Sequence, residues 1–126
     1  MKRVLVDSSI WIDFFRHGKN SSYMNYLIDN NILLINDIIL TELVPYLKIK
    51  KQNKVINLLK TLNKVNLQID WKKIIDMQYK CLTKGINKIG IPDLIITQNV
   101  IDNNLSLYTL DKHFEFIRDI YDFDIY

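Results

Sequence analysis

The 126 residues contain no alanine, a single cysteine, two prolines and three glycines. One cysteine excludes an internal disulfide and a cysteine-based zinc cluster, and it fits a reducing, intracellular compartment. With so little glycine and proline there is no flexible linker, and residues 1–126 read as one domain. No apolar run approaches the roughly 20 residues that cross a bilayer. Asp7 interrupts the opening MKRVLVDSS too early for a signal peptide, so the expected location is the cytoplasm, with no membrane association. Glutamate is also scarce, with only Glu42 and Glu115 present. The charge balance is nearly even, a net +3 with a pI near 8.9. That permits nucleic-acid binding without demanding it. The lack of alanine beside abundant isoleucine, asparagine and lysine reflects base composition in the gene and carries no function.

What is present alternates short apolar runs with helical stretches, the pattern of parallel βαβ construction. Arg3 to Val6 predicts a strand and Ser8 to Arg16 a helix, stopped at His17-Gly18-Lys19. Ser21 or Ser22 is expected to cap a helix through Asp29, and Ile32 to Ile35 is a strand. Asp37 is expected to cap a helix whose apolar face carries Ile39, Leu40, Leu43, Val44 and Leu47, kinked at Pro45. A helix from about Lys54 to Leu62 precedes a short strand at Val65 to Ile69. Asp70 caps Trp71 to Lys84, which Gly85 ends. Pro92-Asp93 opens a helix to about Asp102. Leu105 to Thr109 is a strand, Lys112 to Ile120 a helix, and Phe123 to Ile125 a final edge strand.

In such sheets ligands bind beyond the carboxyl ends of the strands. Asp7 and Asp111 each follow a strand end, and Asp93 begins a helix that could return to the same rim. Each has an ordinary reading, because aspartate is a favoured N-cap. Glu42 is stranger. Its helical neighbours, Ile38, Ile39, Pro45 and Tyr46, are mostly apolar, and an ionised carboxylate there is costly unless it is paired or binds a cation. His17 and His113 read as surface residues, and Cys81 as a small hydrophobe. Trp11, Phe14 and Phe15 suit a core or a subunit interface. Lys48, Lys50, Lys51 and Lys54 form a basic cluster that suits either solvent or RNA phosphates. Arg16 closes its helix, where a cation is favourable, and could reach a groove mouth.

Four stretches carry a resemblance. VDSSIWIDFFR resembles the opening of PIN-domain proteins, especially VapC toxins of toxin–antitoxin pairs. INDIILTEL resembles their second motif with its helical Glu, IPDLIITQN the third, and LYTLDKHFEFI the fourth. All four occur in family order over nearly the whole chain. Two departures are visible: Leu94, Ile95 and Ile96 stand where many relatives have small residues, and Pro45 follows the Glu closely. The resemblance implies a three-layer α/β/α fold with a central, mainly parallel sheet of four to five strands. It places Asp7, Glu42, Asp93 and Asp111 at the acidic metal positions, with Thr109 and Ser8 (or Ser9) lining the site. It further implies Mg²⁺ or Mn²⁺, hydrolysis of RNA to 5′-phosphate and 3′-hydroxyl ends, a cognate antitoxin and a homodimer. The chemistry is coherent, since hard oxygen ligands suit these ions, which neutralise the phosphate and activate water. Crowded acids without metal would repel, raising some pKa values.

Rival readings are weaker. A haloacid-dehalogenase-like aspartyl phosphate needs an Asp two positions after the first, where Ser9 stands. A receiver domain pairs two acids at the first strand end, where Val6 precedes Asp7. A catalytically silent PIN-like module for nucleic-acid binding or scaffolding is the remaining alternative.

Overall fold

The computed structural model describes residues 2–126. Its sheet has four parallel strands in the order β2-β1-β3-β4. They are β1 (Val4–Val6), β2 (Leu33–Leu34), β3 (Ser106–Tyr108) and β4 (Asp124–Ile125). Every residue of β1 and β3 is buried. Successive strand side chains point to opposite faces, so both faces of the sheet centre are covered by helices, and the architecture is three-layered. Val4, Leu5 and Val6 pair in register with Ser106, Leu107 and Tyr108.

Seven helices join the strands: α1 (Ser8–Phe15), α2 (Ser21–Asp29), α3 (Asp37–Ile49), α4 (Asn53–Thr61), α5 (Trp71–Thr83), α6 (Ile91–Asp102) and α7 (His113–Arg118). Most are amphipathic: α5, for instance, buries Ile74, Met77 and Cys81 and exposes its lysines. Helix α6 differs, because its residues from Leu94 to Val100 are all buried. An all-round buried helix must satisfy its own polar side chains. Thr97 donates to the Asp93 carbonyl, Gln98 to the Gln68 carbonyl and Asn99 to the Asn66 carbonyl. None of the helices among the described residues is long and apolar enough to cross a membrane.

Several local expectations are corrected. Asn36, not Asp37, caps α3: its side chain accepts from the Ile39 N–H at 2.9 Å and donates to Asn99 Oδ1 at 2.9 Å. At a fully buried position an amide can do both, whereas an ionised carboxylate only accepts. Asp37 instead meets Lys64 at the surface. Asn20, not Ser21 or Ser22, stands at the N-cap of α2. Pro45 lies inside α3 on its exposed face, with exposed Thr41 one turn before it. The stop after α1 is made by His17, at φ 54°, while Gly18 is needed because a Cβ there would collide with the Asp13 carboxylate. Gly85 ends α5 as expected, at φ 77°.

The strand expected at Val65 to Ile69 does not form. A single bridge joins Lys64 to Ile35, and the chain then leaves the sheet. Val65, Leu67 and Ile69 still alternate inward. However, the carbonyls of Asn66 and Gln68 are taken by Asn99 and Gln98, and the Asp70 N–H donates to Gln98. Amide side chains of α6 thus replace a ladder. At the other edge, the expected final strand is present as β4.

Candidate metal centre

The strand order reverses between β1 and β3: the chain turns from β1 to one side, and later crosses to the other. Crevices beyond the carboxyl ends of parallel strands open at such points. Asp7 and Thr109 are the residues directly after β1 and β3, and the Asp7 N–H donates to the Tyr108 carbonyl at 2.9 Å, holding the two strand ends side by side.

Asp7 stands at the N-cap position of α1, yet its side chain makes no capping bond. Its Oδ2 accepts from Ser9 Oγ at 2.9 Å and from Thr109 Oγ1 at 2.8 Å. The residue is 5% exposed. Both hydroxyls are themselves fixed: the Leu110 N–H donates to Ser9 Oγ and the Asp111 N–H to Thr109 Oγ1, each at 3.0 Å. Two hydroxyls therefore orient one carboxylate and leave its Oδ1 free of them. Contrast Asp70, whose carboxylate accepts from the backbone of Lys72 and Lys73; that is a working cap, and Asp7 is not.

Asp93 lies in the first turn of α6, after Pro92, in a helix capped by Gly90. Its side chain is 19% exposed. Asp111 does serve locally, accepting from the His113 N–H at 2.9 Å, so the ordinary cap-like role holds for one of its oxygens. The His113 ring stands against both acids, with Nδ1 at 3.5 Å from Asp93 Oδ2 and 3.5 Å from Asp111 Oδ1. Asp93, Asp111 and His113 can offer donor atoms that all lie within 4.8 Å of one another.

Glu42 reaches the same crevice from α3. Much of the residue is open to solvent, but burial of its carboxyl is the main force raising its pKa above the usual carboxylate range, with the charge of Asp7 next. A hydrogen bond with Ser8 works the other way, and Asp93 and Asp111 add further repulsion. Burial likewise raises the pKa of Asp93, followed by the Asp111 charge, against the lowering influence of His113. Asp7 and Glu42 do not join the tightest donor set, but Glu42 feels the charges of Asp7, Asp93 and Asp111, and Asp93 those of Asp111 and Asp7. These four acids come from four chain segments, and the mutual repulsion expected of them is present.

Clustered carboxylate oxygens fit a divalent cation such as Mg²⁺ or Mn²⁺. Residues Asp7, Glu42, Asp93 and Asp111 are the ones that could hold it. Of the two serines after Asp7, Ser9 is the one that donates to its carboxylate.

The expected basic residues do not gather here. Arg16 and Lys50 line a different cavity of about 530 Å³, with Phe14, Phe15 and Tyr46 among its walls and none of the four acids. Arg16 is nine residues beyond Asp7, about 13 Å along the helix axis. Lys50 lies over the Tyr46 ring, and Lys48 and Lys51 are exposed at the same end of α3. Trp11 is core, while Phe14 and Phe15 are half-buried around that cavity. The expectation that His113 is merely a surface residue is corrected by its contacts with two acids. Its position two residues after Asp111, whose carboxylate accepts from the His113 N–H, was the available signal.

No protein-family model and no curated protein sequence matches the chain. Solved structures do. A chain of DNA-bound VapBC from Salmonella typhimurium superposes with a TM-score of 0.78 at 16% identity, over 100% of this chain and 98% of that one. VapBC2 from Rickettsia felis, bound to a DNA fragment from their promoter, gives 0.77 at 21% identity, over 98% and 96%. A toxin–antitoxin complex from Klebsiella pneumoniae gives 0.63 at 23% identity, over 86% and 87%. At these identities the likeness is one of fold, and it extends over nearly the whole chain. The three-layer arrangement with a parallel four-stranded sheet, implied by the four sequence motifs, is the one adopted, and these solved structures share it.

Proposed function

We propose that this chain, folded like the VapBC and toxin–antitoxin structures, is a metal-dependent endoribonuclease of the VapC type, the toxin of a toxin–antitoxin pair. One observation carries the reading. Four carboxylates from separate segments converge at the switch point of the sheet, and Asp7 is oriented by Ser9 and Thr109 instead of capping its helix. Leaving acids together this way costs folding free energy, which a bound cation offsets.

A divalent ion held by Asp7, Glu42, Asp93 and Asp111 would neutralise charge on a phosphodiester and lower the pKa of water. The chain's own residues set the geometry around it. Ser9 and Thr109 fix one Asp7 oxygen and leave the other free of them for a cation. Helix α6, buried on all sides, gives Asp93 a rigid base, and α3 supplies Glu42 from the facing wall. The half-exposed rim at Asp111 leaves the crevice open to a strand of RNA. Lys48, Lys50 and Lys51, with Arg16, form a separate basic end of the molecule that suits RNA phosphates beyond the scissile one. An antitoxin protein and a second copy of the chain are the proposed partners, and the cytoplasm the proposed location.

The test is a titration of Mg²⁺ and of Mn²⁺ into RNA cleavage assays with the wild-type chain and the Asp7→Asn variant. Wild type should cleave only with metal and yield 5′-phosphate ends, with the variant slower by about 100-fold or more, as for loss of several kcal/mol of metal-borne stabilisation. Equal rates in both would remove Asp7 from the site. A folded wild type that binds RNA but never cleaves it would leave the silent binding module as the better reading.

A further inference from the structure

Among the described residues, His113 is the histidine that stands with the acids, and its placement is specific. Nδ1 is equidistant from the nearer oxygens of Asp93 and Asp111, at 3.5 Å from each. Two donors that share one cation at about 2.1 Å lie about 3 Å apart when at right angles, and just over 4 Å when opposite. A spacing of 3.5 Å falls between these limits, and all three donor atoms lie within 4.8 Å of one another. The backbone that carries the ring is tied to the same acid, because the His113 backbone N–H donates to Asp111 Oδ1. The ring side chain is 39% exposed, so water can serve its other nitrogen.

We propose that His113 is a direct metal ligand through Nδ1, beside Asp93 and Asp111, and that it biases the site toward Mn²⁺ over Mg²⁺. The inference rests on the metal-site reading above and adds the donor that reading lacks. Mg²⁺ strongly prefers oxygen, while affinity for a nitrogen-containing site rises along the first transition series, so an imidazole favours the transition metal. A competing arrangement uses the same atoms: a protonated His113 could pair with both carboxylates and act as a resident cation in place of the metal. The two arrangements differ in sign. If His113 is a ligand, removing it weakens Mn²⁺ binding; if it is a competing cation, removing it tightens binding.

The experiment uses the full chain as wild type, His113→Gln and Asp93→Asn, without RNA. Mn²⁺ and Mg²⁺ affinities are measured by calorimetry, and the bound Mn²⁺ is examined by pulsed electron paramagnetic resonance for nitrogen coupling. Wild type should show a directly coordinated nitrogen that disappears in His113→Gln. Mn²⁺ affinity in that variant should fall about tenfold, near the low end of what loss of a supporting ligand costs, with Mg²⁺ affinity falling much less. Both variants are checked for an unchanged far-ultraviolet circular dichroism spectrum. Bound Mn²⁺ without nitrogen coupling, equal losses for the two metals, or tighter binding by His113→Gln would each overturn the proposal while leaving the acidic site intact. Absence of Mn²⁺ binding by wild type would overturn both.

Discussion

Replacing Thr109 by valine tests the most specific piece of the site. The change keeps the branched shape and deletes one oxygen. That oxygen donates to Asp7 Oδ2 at 2.8 Å, accepts from the Asp111 N–H at 3.0 Å and sits 3.4 Å from Ser9 Oγ. A hydrogen bond to a charged group contributes about 1.5–3 kcal/mol, and an orphaned buried donor costs about 1–3 kcal/mol. Thr109 is half-buried, so water can partly replace both partners, and the net loss should be about 2 kcal/mol. Unfolding entropy near 60 °C is about 2.1 cal/mol/K per residue, which for a chain of this length makes 2 kcal/mol a fall in Tm of about 8 °C. Differential scanning calorimetry measures it directly. Metal affinity should fall as well, by about 10-fold, because the hydroxyl orients a proposed ligand. Thr109→Ser, which keeps the oxygen, should recover most of the affinity. A valine variant that melts within about 2 °C of wild type and binds metal equally well would refute the claim that Thr109 positions Asp7.

Two further outcomes follow from the electrostatics and the buried amides. Glu42 and Asp93 have raised pKa values in the folded chain, mainly through burial, so the folded state holds protons that the unfolded chain has already released. Metal-free stability should therefore fall as pH rises from the ordinary carboxylate range through those raised values. Mg²⁺ or Mn²⁺ at about 100 times its dissociation constant should restore about 2.7 kcal/mol, more at pH 7 than at pH 4.5, where protons compete for the same oxygens; melting curves across pH with and without metal would show whether the slope reverses. Asn99→Ala should cost about 2 kcal/mol, because it orphans Asn36 Nδ2 in the core, while water can take over the Asn66 carbonyl at the surface, and urea denaturation would expose a negligible loss as wrong.

Much of the fold was legible because hydrophobic periodicity and strand-end placement act locally. The run Val4–Val6, the amphipathic α5 and its cap Asp70 are all short-range features, and they formed as read. The segment from Val65 was misread because its alternation is genuine but its backbone partners are not in a strand; they are Gln98 and Asn99, some 30 residues away. The same long-range amide chemistry moved the cap of α3 from Asp37 to Asn36. In the site, sequence alone left Asp7, Asp93 and Asp111 as caps, and only the four motifs together suggested that they meet. The fold brings them to one crevice and separates the roles: Asp70 caps, Asp111 does so with one oxygen, and Asp7 does not. Arg16 and Lys50 were out of reach of such reasoning, because facing a crevice or facing away from it depends on helix rotation, which spacing alone does not fix.

The bridge between Lys64 and Ile35 has a consequence for solubility. It places the start of an extended segment along the outer edge of β2, where the Ile35 N–H donates to the Asn63 carbonyl and its carbonyl accepts from the Val65 N–H. Unpaired strand edges recruit strands from other molecules. Here the segment blocks the edge and then is pulled away by the amides of α6 before it can present a full strand of its own. Gln98 and Asn99 thus keep Val65, Leu67 and Ile69 from forming a sticky border. Their loss would be felt first in a concentrated solution or a crowded cell, as fibrous or amorphous self-association, at temperatures where the remaining fold is still intact.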